Sequence, residues 1–332
     1  RLFPILLIPP FWMADAMWSL PKTVHLMEVG PRDGLQIEAK ILTTAEKIEL
    51  VEAIAAAGVT EIEVGSFVNP KAVPQMADSE AVFAGLRRQP GVIYRALWLN
   101  PRGLDRAVAS GKVDLDGRLQ LTASETFVKR NTNRSIEETF ADIPDWVARY
   151  RAASVMPDCV GVMAAFGCNF EGDVAAERVM NLLVRAEHML IEAGSALKHV
   201  SLADTMGWAT PDRIRQMIEV VRKRWPDLPL KLHLHDTRGT AMANALAALQ
   251  MGVREFDGSI GGLGGCPFAG HKGAAGNICT EDLAYMCEEM GIATGIDLPA
   301  LVHAARMAER MLGHEVPGKV MKGGLLPRPS TR

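Results

Sequence analysis

The chain has 332 residues, of which 48% are apolar and 23% are charged, and its formal net charge is −3 at pH 7. This balance is typical of a globular enzyme and lacks the strongly basic composition of a nucleic-acid-binding protein, so we predict no nucleic-acid partner. The five cysteines form no C-x-x-C pair, which speaks against a disulfide framework and predicts a reducing, cytoplasmic location.

Residues 1–20 are predicted to be an N-terminal extension that precedes the folded domain. Residues 1–12 read RLFPILLIPPFW, which is apolar but too short to span a bilayer, since a spanning helix needs about 20 residues. The three prolines also argue against the apolar region of a signal peptide. Two interpretations stay open: the natural protein starts at Met13 or Met17, or the segment is a short anchoring or oligomer-packing element. No membrane span is predicted elsewhere.

Strand-like and helix-like segments alternate along the rest of the chain. Strands are predicted at 24–29, 61–65, 92–99, 118–123, 159–165, 199–203, 230–235 and 256–260. Helices are predicted at 44–57, 76–88, 101–110, 135–153, 174–193, 211–224, 240–251 and 280–290, with one more at 298–312. Ser135 begins its helix with a capping box that Glu138 completes.

Eight strand–helix units of this length predict an α/β fold, a (β/α)8 TIM barrel over residues 21–295, with a C-terminal helix and tail at 296–332 packed on it. The alternative is a doubly wound open sheet, which shares the alternating pattern. That fold needs a G-x-G-x-x-G turn after the first strand to bind a dinucleotide, whereas the chain has GPRDG at 30–34.

The candidate metal ligands fall at predicted strand ends, where a barrel carries its catalytic groups. His233 and His235 stand at i and i+2 on an apolar strand and therefore face the same side of it. Asp33 follows the first strand, and the amide of Asn277 lies in the loop after the eighth. Such nitrogen and oxygen donors suit an ion such as Mg²⁺, Mn²⁺, Fe²⁺, Co²⁺ or Zn²⁺. The alternative is a pair of histidines hydrogen-bonded within a polar layer.

Other reactive side chains lie near the same predicted strand ends. Arg32 is suited to stabilise an oxyanion, although an Arg-Asp dipeptide is also a common surface salt bridge. Cys266 lies in a glycine-rich loop, where a thiol can act as an acid or base, a nucleophile or a redox sensor, or can be inert and buried. Two further acids, Glu63 and Asp204, stand on the second and sixth strands.

At these residues the sequence resembles the 3-hydroxy-3-methylglutaryl-CoA lyase family of metal-dependent TIM-barrel lyases and Claisen synthases. The resemblance runs from about residue 24 to 290, and four stretches carry it: EVGPRDGLQIE (28–38), SFVNPKAVPQM (66–76), HLHDTRGTAMANALAALQMGV (233–253) and GGLGGCPFAGHKGAAGN (261–277). It implies a retro-Claisen cleavage of an acyl-CoA thioester into acetyl-CoA and a keto acid, acetoacetate in the parent reaction, as in leucine degradation.

The resemblance also implies roles for individual residues. The implied ligands of a divalent cation, Mg²⁺ or Mn²⁺, are Asp33, His233, His235 and Asn277. The implied catalytic residues are Arg32, which steadies the enolate, Cys266, Glu63, Asp204 and His233. We assign substrate contacts to Arg32, Gln36, Ser66, Thr205 and Gly161.

The chain departs from the family pattern at two positions. Gly161 stands where well-known members have a tyrosine, and Ala203 stands where a glycine is more usual. The first change predicts more space at the acyl site, so a bulkier 3-hydroxy-3-alkylglutaryl-CoA or a citramalyl-CoA-like thioester is an alternative substrate. A Claisen synthase of the same barrel group is an alternative reaction. We further predict a homodimer or higher homo-oligomer, formed through an apolar stripe of Met307, Met311 and Leu312.

Overall fold

The fold is built on one parallel sheet of eight strands, seen in a computed structural model that describes residues 20–265 and 275–327. The strands are β1 (His25–Glu28), β2 (Glu61–Ser66), β3 (Ile93–Leu97), β4 (Arg118–Thr122), β5 (Cys159–Met163), β6 (His199–Ala203), β7 (Leu230–His233) and β8 (Glu255–Gly258). Their order is β3-β2-β1-β8-β7-β6-β5-β4, and each pairing is parallel. Because the first strand pairs with the last, the sheet curls into a barrel, which confirms the predicted fold.

Helices cover the outside of this sheet. They are α1 (Thr44–Ala56), α2 (Ser79–Gly85), α3 (Pro101–Ser110), α4 (Glu125–Thr132), α5 (Ile136–Ala141), α6 (Ile143–Ala152), α7 (Ala176–Glu192), α8 (Pro211–Arg224), α9 (Ala241–Gln250), α10 (Thr280–Glu289), α11 (Leu298–Leu312) and α12 (Val320–Gly323). The capping box of Ser135 and Glu138 is present. The predicted helix 135–153 is two helices, since Pro144 lacks the N–H that would continue α5 into α6.

Three further local predictions were wrong. The region 76–88 holds only the short α2, preceded by a single 3₁₀ turn at Pro74–Met76. Helix α4 was not predicted, although Ser124 caps it by accepting a hydrogen bond from the backbone N–H of Phe127 at 3.1 Å. A two-stranded antiparallel hairpin, Gly167–Cys168 with Gly172–Asp173, was also missed because its strands are too short to show alternation.

The inside of the barrel is charged, whereas its outer face packs apolar side chains against the helices. At the N-terminal ends of the strands, His25 and Arg95 each contact Glu61 at 2.8 Å, and His199 contacts Glu255 at 2.7 Å. We call these five residues the floor network. Barrels are usually filled by layers of branched apolar side chains, so this interior depends on paired charges instead.

The barrel has a seam between β3 and β4, because no strand ladder joins these two within the part of the chain that the structure describes. The loop before β4 closes the gap. The backbone N–H of Asp114 donates to the carbonyl of Tyr94 at 2.9 Å, and the N–H of Tyr94 donates to the Asp114 carboxylate at 2.7 Å. Arg95 adds a hydrogen bond to the carbonyl of Leu115 at 3.1 Å.

The C-terminal helix α11 packs on α1 and α10, as predicted for a helix that follows the barrel. Its predicted apolar stripe is not a free surface, since Leu312 is buried in the core and Met311 packs against it. The division of the chain at residue 295 stays a prediction. Of the predicted extension, residues 1–20, only Leu20 belongs to the part of the chain that the structure describes. Among the described residues, no helix is long and apolar enough to cross a membrane.

Candidate metal centre and active-site cavity

A single π-helical turn, Gly30–Gly34, follows β1 and carries Arg32 and Asp33 to the mouth of the barrel. The carbonyl of Val29 accepts from the N–H of Asp33 at 2.7 Å and from the N–H of Gly34 at 3.4 Å, and the second of these bonds closes the π turn. Such turns are rare and recur at functional sites. Gly30, Pro31 and Gly34 lie within this turn.

Buried Glu28 ties this turn to the loop after β8. Its Oε1 accepts hydrogen bonds from the N–H of Gly30 at 2.7 Å and of Ile260 at 2.8 Å, and its Oε2 accepts from the hydroxyl of Thr280 at 2.6 Å. Burial raises the pKa of Glu28 to about 8. One side chain therefore fixes the relative position of two loops that carry candidate site residues.

His233, the last residue of β7, faces His235, two residues beyond the strand, and their Nε2 atoms lie 3.2 Å apart. Nδ1 of His233 lies 3.1 Å from Oδ2 of Asp257, and Nδ1 of His235 lies 2.7 Å from the carbonyl oxygen of Thr205. Because both partners accept, Nδ1 of each ring carries the proton and Nε2 is directed into the site. The ligand atoms of Asp33, His233 and His235 all lie within 4.8 Å of one another.

The pKa values of these groups reflect their burial and mutual charges. Burial alone would lower the pKa of His233, but the hydrogen bond to Asp257 and the charge of that residue raise it. Burial and the charge of His233 lower the pKa of His235 to about 4. The pKa of Asp33 is lowered to about 2, since the charges of Arg32 and the two histidines outweigh its burial.

Asn277 reaches the same site from the loop after β8, beside His235. Its Nδ2 donates to Oδ2 of Asp33 at 2.7 Å and to the carbonyl of Leu263 at 3.1 Å, while its buried Oδ1 has no hydrogen-bond partner among the described residues, 20–265 and 275–327. A buried orphan acceptor is rare in a folded protein and calls for a ligand. Together with Asp33 and the two Nε2 atoms, this oxygen fits a divalent cation.

Two glycines allow Asn277 to come this close. A Cβ on Gly276 would lie 1.5 Å from the carbonyl oxygen of Gly264, and a Cβ on Gly264 would lie 2.8 Å from Nδ2 of Asn277. Gly264 also has a φ of +89°, which side chains disfavour. The two loop segments therefore cross at a distance that only glycine permits.

Arg32 is held in place by acids on both sides. Its Nε donates to Glu63, and its Nη1 donates to Oδ1 of Asp33 at 2.5 Å. Gln36 donates to the same Asp33 oxygen at 2.8 Å. Burial raises the pKa of Glu63, although the charge of Arg32 opposes that effect. The arrangement presents a fixed guanidinium beside the candidate metal ligands.

A cavity of about 610 Å³ opens at this end of the barrel. Seven of the predicted site residues line it: Arg32, Asp33, Gln36, Glu63, Thr205, His233 and His235. Such a volume is in the range of small-molecule sites, which bury most of a ligand. The structure therefore gathers the candidate ligands and Arg32 at one accessible place.

Four other predicted residues lie beside this cavity and not on its wall: Ser66, Gly161, Asp204 and Asn277. Oδ1 of Asp204 accepts from the N–H groups of Trp208 at 2.7 Å and Ala209 at 3.0 Å, which shapes the turn after β6, and burial raises the pKa of Asp204 to about 6. Its Oδ2 and the hydroxyl of Ser66 are buried without partners. Cys266 lies outside the described residues.

The sequence reasoning missed Asp257, the partner of His233, and passed over Glu28. Asp257 stands in register with His233 on the neighbouring strand. The alternation in β8 (Glu255–Gly258), with acids at positions one and three, is the signal that could have placed it inside the barrel.

A curled parallel sheet that gathers two histidines, an aspartate and an arginine at the carboxyl ends of its strands defines a TIM-barrel protein with an active-site cavity and a candidate metal centre. The family model described as HMGL-like matches residues 23–308, and the chain belongs to this family. The resemblance seen in the sequence motifs is thereby confirmed.

Relatives and solved structures agree with this membership. The chain is 42% identical to the rat mitochondrial hydroxymethylglutaryl-CoA lyase over 308 residues, which covers 92% of this chain and 91% of the rat protein. It is 40% identical to the mouse cytoplasmic 3-hydroxy-3-methylglutaryl-CoA lyase, with 95% and 89% covered. The structure of an HMG-CoA lyase from Acinetobacter baumannii in complex with coenzyme A and 3-methylmalate superposes with a TM-score of 0.82 at 39% identity, covering 94% of this chain and 100% of that one.

Proposed function

We propose that this chain is a divalent-metal-dependent carbon–carbon lyase that cleaves a 3-hydroxy-3-methylglutaryl-CoA-like thioester to acetyl-CoA and a keto acid, acetoacetate for the parent substrate. The observation that carries the proposal is the cluster of Asp33, His233 and His235 beside Arg32 on the wall of one cavity. A barrel metal hydrolase of the amidohydrolase type is disfavoured because its H-x-H pair falls on the first strand, whereas His233 and His235 stand at the end of the seventh.

Asp33, His233, His235 and Oδ1 of Asn277 would hold the ion. The donor set is two imidazoles with hard oxygens, which suits Mg²⁺ or Mn²⁺ with open positions for substrate. When bound, such an ion is a Lewis acid that lowers the pKa of the substrate's hydroxyl group and orients the hydroxy acid. We assign His233 its catalytic importance through this ligation, with Asp257 fixing its ring.

Arg32 stabilises the negative charge that develops on the thioester during cleavage. After a base takes the proton of the C3 hydroxyl group, C3 becomes the carbonyl carbon of the keto acid, and the electron pair of the broken C2–C3 bond passes to C2 and the thioester oxygen. A guanidinium fixed beforehand by Glu63 and Asp33 stabilises that negative charge without reorganising. The carbanion then takes up a proton, and we propose Cys266 as its donor. A single positioned acid of this kind is worth about 10²–10⁴ in rate.

A second candidate is a thioester with a larger substituent on C3. The observation that favours it is the depth of the cavity, whose wall continues below the histidines to Gln120 and Ser201. The space beside Gly161 itself, which the sequence predicted to be open, is filled by the amide of Gln120. Either substrate makes the partner an acyl-CoA. We also propose a homo-oligomer and, from the cysteine content, a cytoplasmic location, although the relatives' names include both mitochondrial and cytoplasmic forms.

The test is release of acetyl-CoA from purified protein, followed by a coupled assay with and without Mg²⁺ or Mn²⁺. We expect release that a chelator abolishes and either ion restores, and loss of both ion binding and release in His233→Ala. Gln216→Leu, an exposed change on α8, serves as the control. If no 3-hydroxy-3-alkylglutaryl thioester is cleaved under any metal condition, the proposal is wrong.

A further inference from the structure

The barrel interior continues as a chamber beneath the candidate metal ligands. Strand register places Met163, Ala203 and His233 in one layer. The next inward-facing layer towards the floor holds, in register, Gln120, Gly161, Ser201 and Lys231. Gln120 and Ser201 of this layer line the cavity, so the open space extends down to this layer, where barrels usually carry bulky side chains.

Gly161 and Gln120 shape one side of this chamber. A Cβ on Gly161 would lie 2.6 Å from Oε1 and 3.0 Å from Nε2 of Gln120. The Gln120 amide therefore lies across β5 and occupies the space that the Cβ of any other residue at position 161 would need. Its one intramolecular hydrogen bond in the structure is a long one, 3.4 Å from Nε2 to the carbonyl of Leu121.

The walls of the chamber carry polar atoms that the protein does not satisfy. Within the part of the chain that the structure describes, Nε of Arg118 and Oδ1 of Asp257 are buried without a hydrogen-bond partner, and both residues line the cavity. Asp257 is only 6% exposed, and although Nζ of Lys231 lies 3.4 Å from that oxygen, it makes no hydrogen bond to it. Buried polar atoms of this kind are normally satisfied by water or by a ligand.

The charges around the chamber are paired. Arg118 contacts Asp116 at 3.0 Å, Lys231 contacts Asp257 at 3.4 Å, and Arg32 is held by its two acids. With no cation left over, a buried carboxylate would find no net positive charge to offset its desolvation. A neutral group with a hydroxyl can instead both donate and accept here.

Resting on the proposed function, we propose that this chamber is the subsite for the C3 substituent of the substrate and that it selects a substituent ending in a neutral hydroxyl. The layer of His233, where the ion would hold C3 through the substrate's own hydroxyl group, lies two residues along each strand above the Gln120 layer. A substituent on C3 that points away from the mouth of the barrel therefore enters the chamber. Gln120 and Ser201 are its specificity-determining residues.

The experiment compares two thioesters of nearly equal size, 3-hydroxy-3-ethylglutaryl-CoA and 3-hydroxy-3-(hydroxymethyl)glutaryl-CoA, with the methyl compound as reference. We expect kcat/KM for the hydroxymethyl compound to exceed that for the ethyl compound by about tenfold or more, since an apolar group leaves the polar walls unsatisfied. In Gln120→Leu the ratio falls towards one or inverts. Gly161→Ala, which displaces the Gln120 amide, lowers the ratio as well, whereas the exposed Gln216→Leu leaves it unchanged.

Binding measured without turnover separates this inference from the proposed function. Calorimetric Kd values for both acyl-CoAs are taken on the wild type with chelator present, where no cleavage occurs. Tighter binding of the hydroxymethyl compound than of the ethyl compound supports the chamber assignment even if no thioester is cleaved. The lack of cleavage would then overturn only the proposed reaction. The opposite result is cleavage of the methyl compound together with an ethyl compound that equals or exceeds the hydroxymethyl compound in both kcat/KM and affinity. That result overturns the chamber assignment and leaves the lyase proposal intact.

Discussion

Asp257 is expected to control the affinity of the candidate metal centre although it is not a ligand. It fixes Nδ1 of His233 at 3.1 Å, so Asp257→Ala frees that ring to rotate or to change tautomer. Removing such an outer partner typically costs about 10–100-fold in metal affinity, which corresponds to about 1.4–2.8 kcal/mol. The assay is calorimetric titration of the metal-free protein with Mn²⁺, and Asp257→Asn, which keeps an acceptor oxygen, should lose less.

Stability complicates the single variant, because Asp257 also pairs with buried Lys231. Leaving one member of a buried pair uncompensated costs about 3–5 kcal/mol of folding free energy. The double variant Lys231→Met/Asp257→Ala removes the lone charge and should recover much of that stability in urea unfolding while keeping the loss of Mn²⁺ affinity. Asp212→Ala, an exposed change, is the matched control. Wild-type Mn²⁺ affinity in the double variant would refute the reasoning.

Three further outcomes are expected. Glu28→Ala leaves three buried donors unsatisfied and should lower the free energy of unfolding by about 3–6 kcal/mol in urea titrations. Glu28→Gln keeps one acceptor oxygen and should cost far less, so equal losses in the two variants would contradict this expectation. Burial lowers the pKa of His199, but its contacts with Cys159 and Glu255 raise it to about 9, so the stability it contributes is complete below pH 6.5 and is lost as pH rises through about 9. That contribution is at most about 3 kcal/mol, and a His199→Gln profile as steep as the wild type between these pH values would rule it out. Gly276→Ala places a methyl group against a backbone carbonyl and should lower the free energy of unfolding by about 1–3 kcal/mol and remove most of the Mn²⁺ affinity. A calorimetric Mn²⁺ titration that matches the wild type would argue against the close crossing of the loops.

The fold was largely predictable because its signals are local. The residue pattern of each segment shows whether it forms a strand or a helix, and the strands of a barrel are arranged in chain order. The errors fall where one residue overrides the pattern. Pro144 divides a region whose apolar spacing is continuous, and the hairpin at Gly167–Cys168 contains too few residues to show a period.

The candidate site was predictable to the extent that its residues follow strands. His233, His235 and Asp33 each occupy a strand end, so topology alone brings them together. Asp257 was missed because its role depends on register between two strands that are separate in sequence. The unsatisfied oxygen of Asn277 is likewise a property of packing, since the sequence shows an amide but not which of its atoms is already bonded.

The seam between β3 and β4 has a consequence for hydration. A narrow second cavity of about 40 Å³ lies there and shares Glu63, Arg118 and Gln120 with the main one. Backbone amides of β3 and β4 should exchange with deuterated water sooner than those of β6 and β7, which have strand partners on both sides. The seam is thus the side of the barrel where water should first reach the backbone when the structure opens locally.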